Sequence, residues 1–494
     1  MILAFVGQDY KYQVESLVKM FFPVERFSIL YGEIPQDENA VITVERRRKS
    51  GYRLLAVVRT DGKVTVKRRI LPFTAELSER RLALCAALYK ALCEGLGTEL
   101  PWGMLTGVRP VKQVHALRGE GKNDEEIRRF FSEQFFVSQT KSDLCLMTAD
   151  VQEGLEMEIR PQVASLYVSI PFCPTRCAYC SFVSQAVEKK GTAALIGEYV
   201  DKLCGELQAT AEVVKQCGLQ LETVYFGGGT PTSLSAGQLS ILLDCIERSF
   251  DLSHLKEYTV EAGRADTITA DKLEVLHDHG VGRISINPQS FNDRVLEQVG
   301  RRHTARQVVD AYHLARSVGF ETINMDLIAG LPGDTLESFE RTVEQAVVLA
   351  PENITVHALT IKRSSALHEQ GRAGGGDAPA MVAYAGQRLL REGYRPYYLY
   401  RQKNMVDNLE NVGYAKPGHE SPYNIYIMEE NQTILACGAG GSTKLVAPGR
   451  IERIFNYKYP YEYCNGFEEI LRRKQEVVRF YGQQEASEHR PAQL

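Results

Sequence analysis

Cys173, Cys177 and Cys180 place three thiols within eight residues, directly after the apolar run 166–172. Eleven cysteines spread over 494 residues would rarely fall so close together by composition alone. A Cys-x3-Cys-x2-Cys loop can turn three thiolates toward one centre, and thiolates are soft ligands that suit iron–sulfur clusters or zinc. No fourth cysteine or histidine follows nearby. A 4Fe-4S cluster held by three cysteines leaves one iron open to a small molecule, and that open position is where chemistry would occur.

Further along, Gly227-Gly228-Gly229-Thr230-Pro231 forms a stretch whose backbone can approach a ligand closely. Glu261 could bond ribose hydroxyls or an ammonium group, or simply pair with Arg264 or Arg283. Gln289 offers an amide that both donates and accepts, and Arg301 could hold a carboxylate bidentately. Asp326 precedes the tight turn 330–333. His303 and Cys437 read as structural residues, and Cys85 and Cys93 as small core residues near a helical leucine stripe.

These residues need a frame. Six short apolar runs, at 166–170, 223–226, 257–261, 283–287, 322–327 and 354–359, alternate with stretches long enough for helices. Repeated βα units imply a parallel sheet with right-handed crossovers, and six of them suit a partial barrel open on one side. Chemistry in such folds gathers at the carboxyl ends of the strands, where every residue singled out in this core falls. The expected fold is therefore α/β, a partial (β/α)6 barrel over residues 161–370. It is preceded by an α+β domain, 1–160, and followed by a small α+β domain, 371–494.

In the first of these, residues 1–73 alternate like strands, with Asp61-Gly62 turning a hairpin. A helix is expected over 74–96, carrying Leu77, Leu84, Leu88 and Leu92, and Asn123 is placed to cap another. Ten Lys or Arg residues against one Asp between 46 and 69 read as a solvated hairpin face, since no aromatic platform is interleaved. In the last domain a helix at 381–393, a strand at 397–401 and a hairpin of 423–428 with 433–437 are expected.

A net charge of −4 with 44% apolar and 24% charged residues gives no general pull toward nucleic acid or anionic membrane. The odd cysteine count, the lack of a secretory pattern at the start and the lack of a spanning apolar run point to a reducing cytoplasm.

The cysteine spacing, with Tyr179 before the last ligand, resembles the radical S-adenosylmethionine (SAM) superfamily. The run 167–173, the glycine stretch and the segments 400–404 and 408–414 are similar to the oxygen-independent coproporphyrinogen III oxidase (dehydrogenase) family, HemZ-like branch. The resemblance covers residue 162 onward. It implies a 4Fe-4S cluster on Cys173, Cys177 and Cys180, with SAM contacted by Tyr167, Tyr179, Gly228, Gly229, Thr230, Glu261, Gln289, Arg301 and Asp326. It further implies reductive SAM cleavage and oxidative decarboxylation of coproporphyrinogen III propionates to vinyl groups, giving protoporphyrinogen IX. The electron would come from a reduced flavodoxin or ferredoxin-type donor. Candidate partners for the substrate carboxylates are Arg302, Lys362, Arg363, Arg395 and Arg401. Ser181-Phe182 stands where the best-studied branch carries another cysteine, which weakens the case for a second SAM. Residues 299–303 resemble the related haem-chaperone branch, so a haem-trafficking protein is one alternative and an RNA-modifying radical SAM enzyme another.

Overall fold

A computed structural model describes residues 1–494 apart from 24, 38, 108, 156–158, 183, 362–364, 370–373, 403–404 and 489–494. Two compact units emerge, Met1–Met147 with Arg401–Glu410, and Thr148–Tyr400 with Asn411–Leu494.

The first unit is built on strands β1 (Ile2–Val6), β2 (Ser28–Tyr31), β3 (Ala40–Arg48), β4 (Gly51–Thr60) and β5 (Lys63–Leu71), in the order β2-β1-β3-β4-β5. Asp61 and Gly62 both take positive φ, 51° and 74°, as a two-residue hairpin turn between right-twisted strands requires. Arg46, Arg47, Arg48, Arg68 and Arg69 stand exposed. The first 73 residues are not all strand, however. Lys11–Phe21 is a helix, α1, because Val14, Leu17 and Val18 recur at helical spacing and bury one stripe. Helix α2 (Leu77–Leu96) buries Leu84, Leu88 and Leu92, whereas Leu77 in its first turn is 57% exposed. Asn123 caps α3 (Asp124–Phe135) by accepting from Glu126 N at 3.0 Å.

The boundary between units falls inside helix α4 (Gln139–Glu153), not at 160/161. Gln152 donates to Tyr397 O at 3.1 Å, and Val151 and Leu155 pack on Tyr397, Tyr398 and Ile425, so the end of α4 belongs to the second unit. Conversely, residues 401–410 belong to the first. Glu410 accepts from Trp102 Nε1 at 2.7 Å and pairs with Lys141, and Arg401 donates to Leu105 O.

In the second unit six parallel strands follow one another: β6 (Val163–Ile170), β7 (Gln220–Gly228), β8 (Glu257–Gly263), β9 (Arg283–Ile286), β10 (Thr322–Ala329) and β11 (Asn353–Ala358). Between them run helices α5 (Thr192–Gln216), α6 (Ala236–Ser249), α7 (Ala270–Asp278), α8 (Asp293–Gln298), α9 (Ala305–Val318) and α10 (Leu336–Leu349). This is the α/β partial barrel. It does not end at residue 370. After helix α11 (Ala378–Arg391), strands β12 (Arg395–Tyr400) and β13 (Asn411–Ala415) extend the sheet beyond β11. Strands β14 (Thr433–Cys437), β15 (Ser442–Ala447) and β16 (Arg450–Phe455) extend it beyond β6. The C-terminal segment thus shares one eleven-stranded sheet with the barrel.

The hairpin expected at 423–437 is absent. Pro422–Glu429 is a helix, α12, capped by Ser421 with Pro422 at its first position. Buried Glu257, at the start of β8, accepts from Tyr423 N (3.0 Å) and from the Ser421 hydroxyl (2.8 and 3.0 Å), so a carboxylate sits at the positive end of the helix. Tyr426 donates to Glu222 near the start of β7. Arg283 and Asn353, the first residues of β9 and β11, both donate to His419 O. Residues 419–426 therefore cross the amino ends of the strands and seal that end. Helix α13 (Phe467–Glu488) closes the chain, and among the described residues no helix is long and apolar enough to cross a membrane.

Candidate active site

The cysteine loop leaves the carboxyl end of β6, opposite the sealed end. Many bonds hold it. Phe172–Cys173 pairs in parallel with Gln185–Ala186, Val187 N donates to Cys173 O, Ala178 N to Val299 O, and Leu367 N to Ala178 O. Arg264, 3% exposed and paired with Asp266 at 2.7 Å, donates to Thr175 Oγ1 at 2.8 Å. A loop fixed at this many points presents its thiols in a set geometry instead of searching for one. Burial pushes the Cys180 thiol up to about 11 and raises Cys173 as well, each also feeling its neighbours' sulfurs.

The glycine stretch lies against this loop. Gly229 N donates to Ile170 O and Thr230 N to Phe172 O, both at 2.7 Å. A Cβ on Gly229 would stand 2.5 Å from Phe172 O and 3.0 Å from Cys173 Sγ, so only glycine lets the two segments meet. Gly228 has φ 107°, and the Thr230 hydroxyl faces Cys173 Sγ at 3.5 Å.

Strand register decides which side chains enter the barrel. Tyr167 is level with Tyr225, and Tyr225 with Thr259, so Glu261 lies one inward step higher on β8. Asn324 is level with Ser285, and Asp326 with Thr355, which places Asp326 and His357 on the same inward face. Tyr167, Tyr225, Glu261, Asp326 and His357 are each half-buried while their strand neighbours are mostly buried, the mark of residues lining a lumen. Tyr225 and Tyr423 stack at 4.3 Å, with Tyr167 6.3 Å from both. On the other wall Tyr398 stacks on Tyr400 at 6.2 Å.

Glu261 accepts from Tyr225 OH at 2.8 Å. Burial, with the charge of Asp326 adding to it, pushes Glu261 up to about 7 despite that bond. Asp326 goes the other way. Burial would raise it, but His357, Asn324 and Thr355 together hold it below the usual carboxylate range. Asn324 Nδ2 donates to it at 2.8 Å. Two carboxylates on one lumen are thus set apart in protonation. For stability the sign follows directly. Between about 4.5 and 7 the unfolded chain has ionised this glutamate while the folded chain keeps the proton, so stability falls as pH rises through that window. Glu261→Gln should remove up to about 2–3 kcal/mol of this loss, less whatever solvent screens. Unfolding midpoints of variant and parent should then diverge between pH 5 and pH 8, the variant gaining; equal slopes would contradict it.

Gln289 sits just past β9 at φ 64°, bridging to Leu327, with its amide N on Asp326 O at 2.9 Å. Its buried Oε1 has no hydrogen-bond partner. Arg301 donates to Asn287 O (2.7 Å) and from Nε to Tyr179 OH (3.1 Å), and reaches the Cys177 sulfur. Burial raises Tyr179 well above the tyrosine range.

The sequence candidates other than Tyr167 accordingly gather toward the carboxyl ends of the strands, while Tyr167 lies mid-strand beside Tyr225 and Tyr423. The chain fits a thiolate-held cluster with SAM beside it: three soft donors on one anchored loop, a backbone cradle with no room for a Cβ, and an orphaned buried amide oxygen. Sequence reasoning passed over Tyr225, His357 and Tyr423. The first two are inward positions two residues from a motif or within a strand, which period-two counting would have flagged; Tyr423 comes from the misassigned helix. The substrate cations fare differently. Arg401 is 4% exposed, bonded to Leu105 O and Asn408 O and lying over Trp102, all within the first unit. Arg395 is level with Ala415 and hence with Asn353, at the sealed amino end. Arg302 pairs with Glu188 on the surface, and Lys362 and Arg363 lie outside the described residues. Cys437 is fully buried and does not face the barrel mouth; it pairs in register with Val168.

Comparison with known proteins agrees with this geometry. Residues 167–346 match the Radical SAM superfamily. The oxygen-independent coproporphyrinogen-III oxidase-like protein HemZ of Bacillus subtilis is 41% identical over 382 residues, covering 75% of this chain and 76% of that one. The heme chaperone HemW of the same organism is 33% identical over 294 residues, covering 58% and 74%. The coproporphyrinogen III oxidase HemN of Escherichia coli superimposes with a TM-score of 0.51 at 23% identity, over 65% of this chain and 72% of that one. Such a likeness speaks to fold, while the HemZ match speaks to kinship. The chain belongs to the radical SAM superfamily, with SAM and a 4Fe-4S cluster as its cofactors, and within it to the HemZ-like branch of the oxygen-independent coproporphyrinogen III oxidase-like proteins.

Proposed function

We propose that this protein is an oxygen-independent coproporphyrinogen III dehydrogenase of the cytoplasm, converting two propionate side chains to vinyl groups with release of carbon dioxide. The observation that carries this reading is the tyrosine lining of the lumen. Tyr167, Tyr225 and Tyr400, each partly exposed, offer aromatic rings to a broad pyrrole macrocycle in the lumen. When bound, the cluster and SAM supply hydrogen-atom abstraction; the chain orients the reactants and excludes water. Gly228, Gly229 and Thr230 take the methionyl end, and Glu261, Gln289, Arg301 and Asp326 hold the remainder of SAM, with Tyr167 and Tyr179 packed against it. A reduced flavodoxin or ferredoxin-type protein supplies the electron that cleaves SAM, and an external electron acceptor takes the one left when the substrate radical loses carbon dioxide.

The likeness to HemW favours haem trafficking as a second reading. Anaerobic turnover of carboxyl-labelled coproporphyrinogen III separates the two. Labelled carbon dioxide is expected, with 5′-deoxyadenosine formed in proportion. SAM cleavage without labelled carbon dioxide, together with tight haem binding, would leave the trafficking reading standing instead.

A further inference from the structure

Coproporphyrinogen brings four carboxylates to a lumen that already carries Glu261 and Asp326. Like charges at such distances raise each other's cost, so the wall needs a positive partner. Of the arginines at the cysteine loop, Arg176 within it points to the exposed surface, while Arg264 is committed to Asp266, and Arg301 to Asn287 O and Tyr179. Arg283 is at the sealed end, held by Asn353 and His419.

His357 is placed otherwise. It lies on β11 beside Ile328, one inward step above Thr355, toward the open carboxyl end. Its side chain is 26% exposed in a strand whose other residues are buried. Its Nε2 stands 3.8 Å from Asp326 Oδ2, and Asp326 is itself fixed by Asn324. A carboxylate beside one ring nitrogen orients an imidazole and leaves the other nitrogen to face a ligand. Among the described residues, His357 is the inward, accessible side chain at this level able to carry positive charge.

We propose that His357, oriented by Asp326, binds one propionate carboxylate of the substrate and so fixes which side chain is presented; the inference rests on the porphyrinogen reading above. An imidazolium donating to a carboxylate makes a charge-assisted hydrogen bond, directional enough to choose one propionate among four.

The test is binding, independent of turnover. Coproporphyrin III, the stable fluorescent tetracarboxylate, is titrated into the cluster-reconstituted protein with SAM. His357→Ala should weaken its Kd about tenfold, and His357→Lys should recover most of the loss. The tetramethyl ester should bind parent and alanine variant alike. Equal coproporphyrin affinity in parent and His357→Ala overturns this inference and leaves the dehydrogenase reading intact. A proportional loss of substrate-free SAM cleavage also overturns it, since His357 would then serve SAM through Asp326. A parent that binds haem but no coproporphyrin overturns the dehydrogenase reading, and this inference with it. Should the alanine variant misfold, His357→Gln, which keeps the shape but not the charge, is expected to show the same selective weakening; parental affinity in it overturns the inference.

Discussion

Replacing Cys177 with Ser is expected to abolish the cluster's visible absorption and, with it, all SAM cleavage. Cys177 is the middle ligand of the loop, 8% exposed and within reach of the Arg301 guanidinium. Serine keeps the volume but offers a hard, poorly ionised oxygen where a soft thiolate is required. Two remaining thiols cannot hold four irons against solvent. The neighbours do not compensate, because burial keeps Cys173 and Cys180 protonated until a soft metal draws the protons off. Alanine at Cys85 or Cys437, which lie in the N-terminal core and beneath α13, should leave absorption and cleavage intact. The measurement is the visible spectrum after anaerobic reconstitution, alongside 5′-deoxyadenosine formation; an intact, SAM-cleaving cluster in the Cys177 variant would sink the ligand assignment.

The second large effect is structural. Glu206 on α5 is fully buried and paired with Lys474 on α13 at 2.7 Å. Its carboxylate also accepts from Gly438 N, Tyr463 OH and Asn456 Nδ2, while Lys474 donates to Ala436 O. With every site filled, the pair is satisfied; removing one partner strands a charge away from water. Lys474→Met should therefore cost about 3–5 kcal/mol, read as a lower denaturant midpoint with unchanged slope. The double variant with Glu206→Gln should regain part of that loss, since no bare charge remains. A single variant as stable as the parent would mean that water reaches Glu206.

The six core strands were legible because strands covered on both faces read as continuous apolar runs bounded by glycine and proline. The cluster loop was legible because its chemistry is local in sequence. The lumen was not, since Tyr167, Glu261, Asp326 and His357 come together only through register, which a single strand does not encode. Helix α12 was misread for a similar reason. Tyr-Asn-Ile-Tyr-Ile-Met alternates like a strand, and a buried glutamate on β8 overrides that preference from more than 160 residues away. The division of the chain was obscured by α4 and residues 401–410, whose membership depends on tertiary contacts.

The extra strands also bear on modularity. The edge of β6 is taken by β14, from Thr433↔Ala164 to Cys437↔Val168, and that of β11 by β13, from Asn353↔Ala415 to Val356↔Val412. The edges of β6 and β11 are thus already hydrogen-bonded, and the free edges of the sheet move outward to β12 and β16. Residues 167–346, which mark the superfamily, are consequently not a portable cassette. Excised alone they would expose an adhesive sheet edge, and any transplant of the chemistry must carry the last hundred or so residues with it.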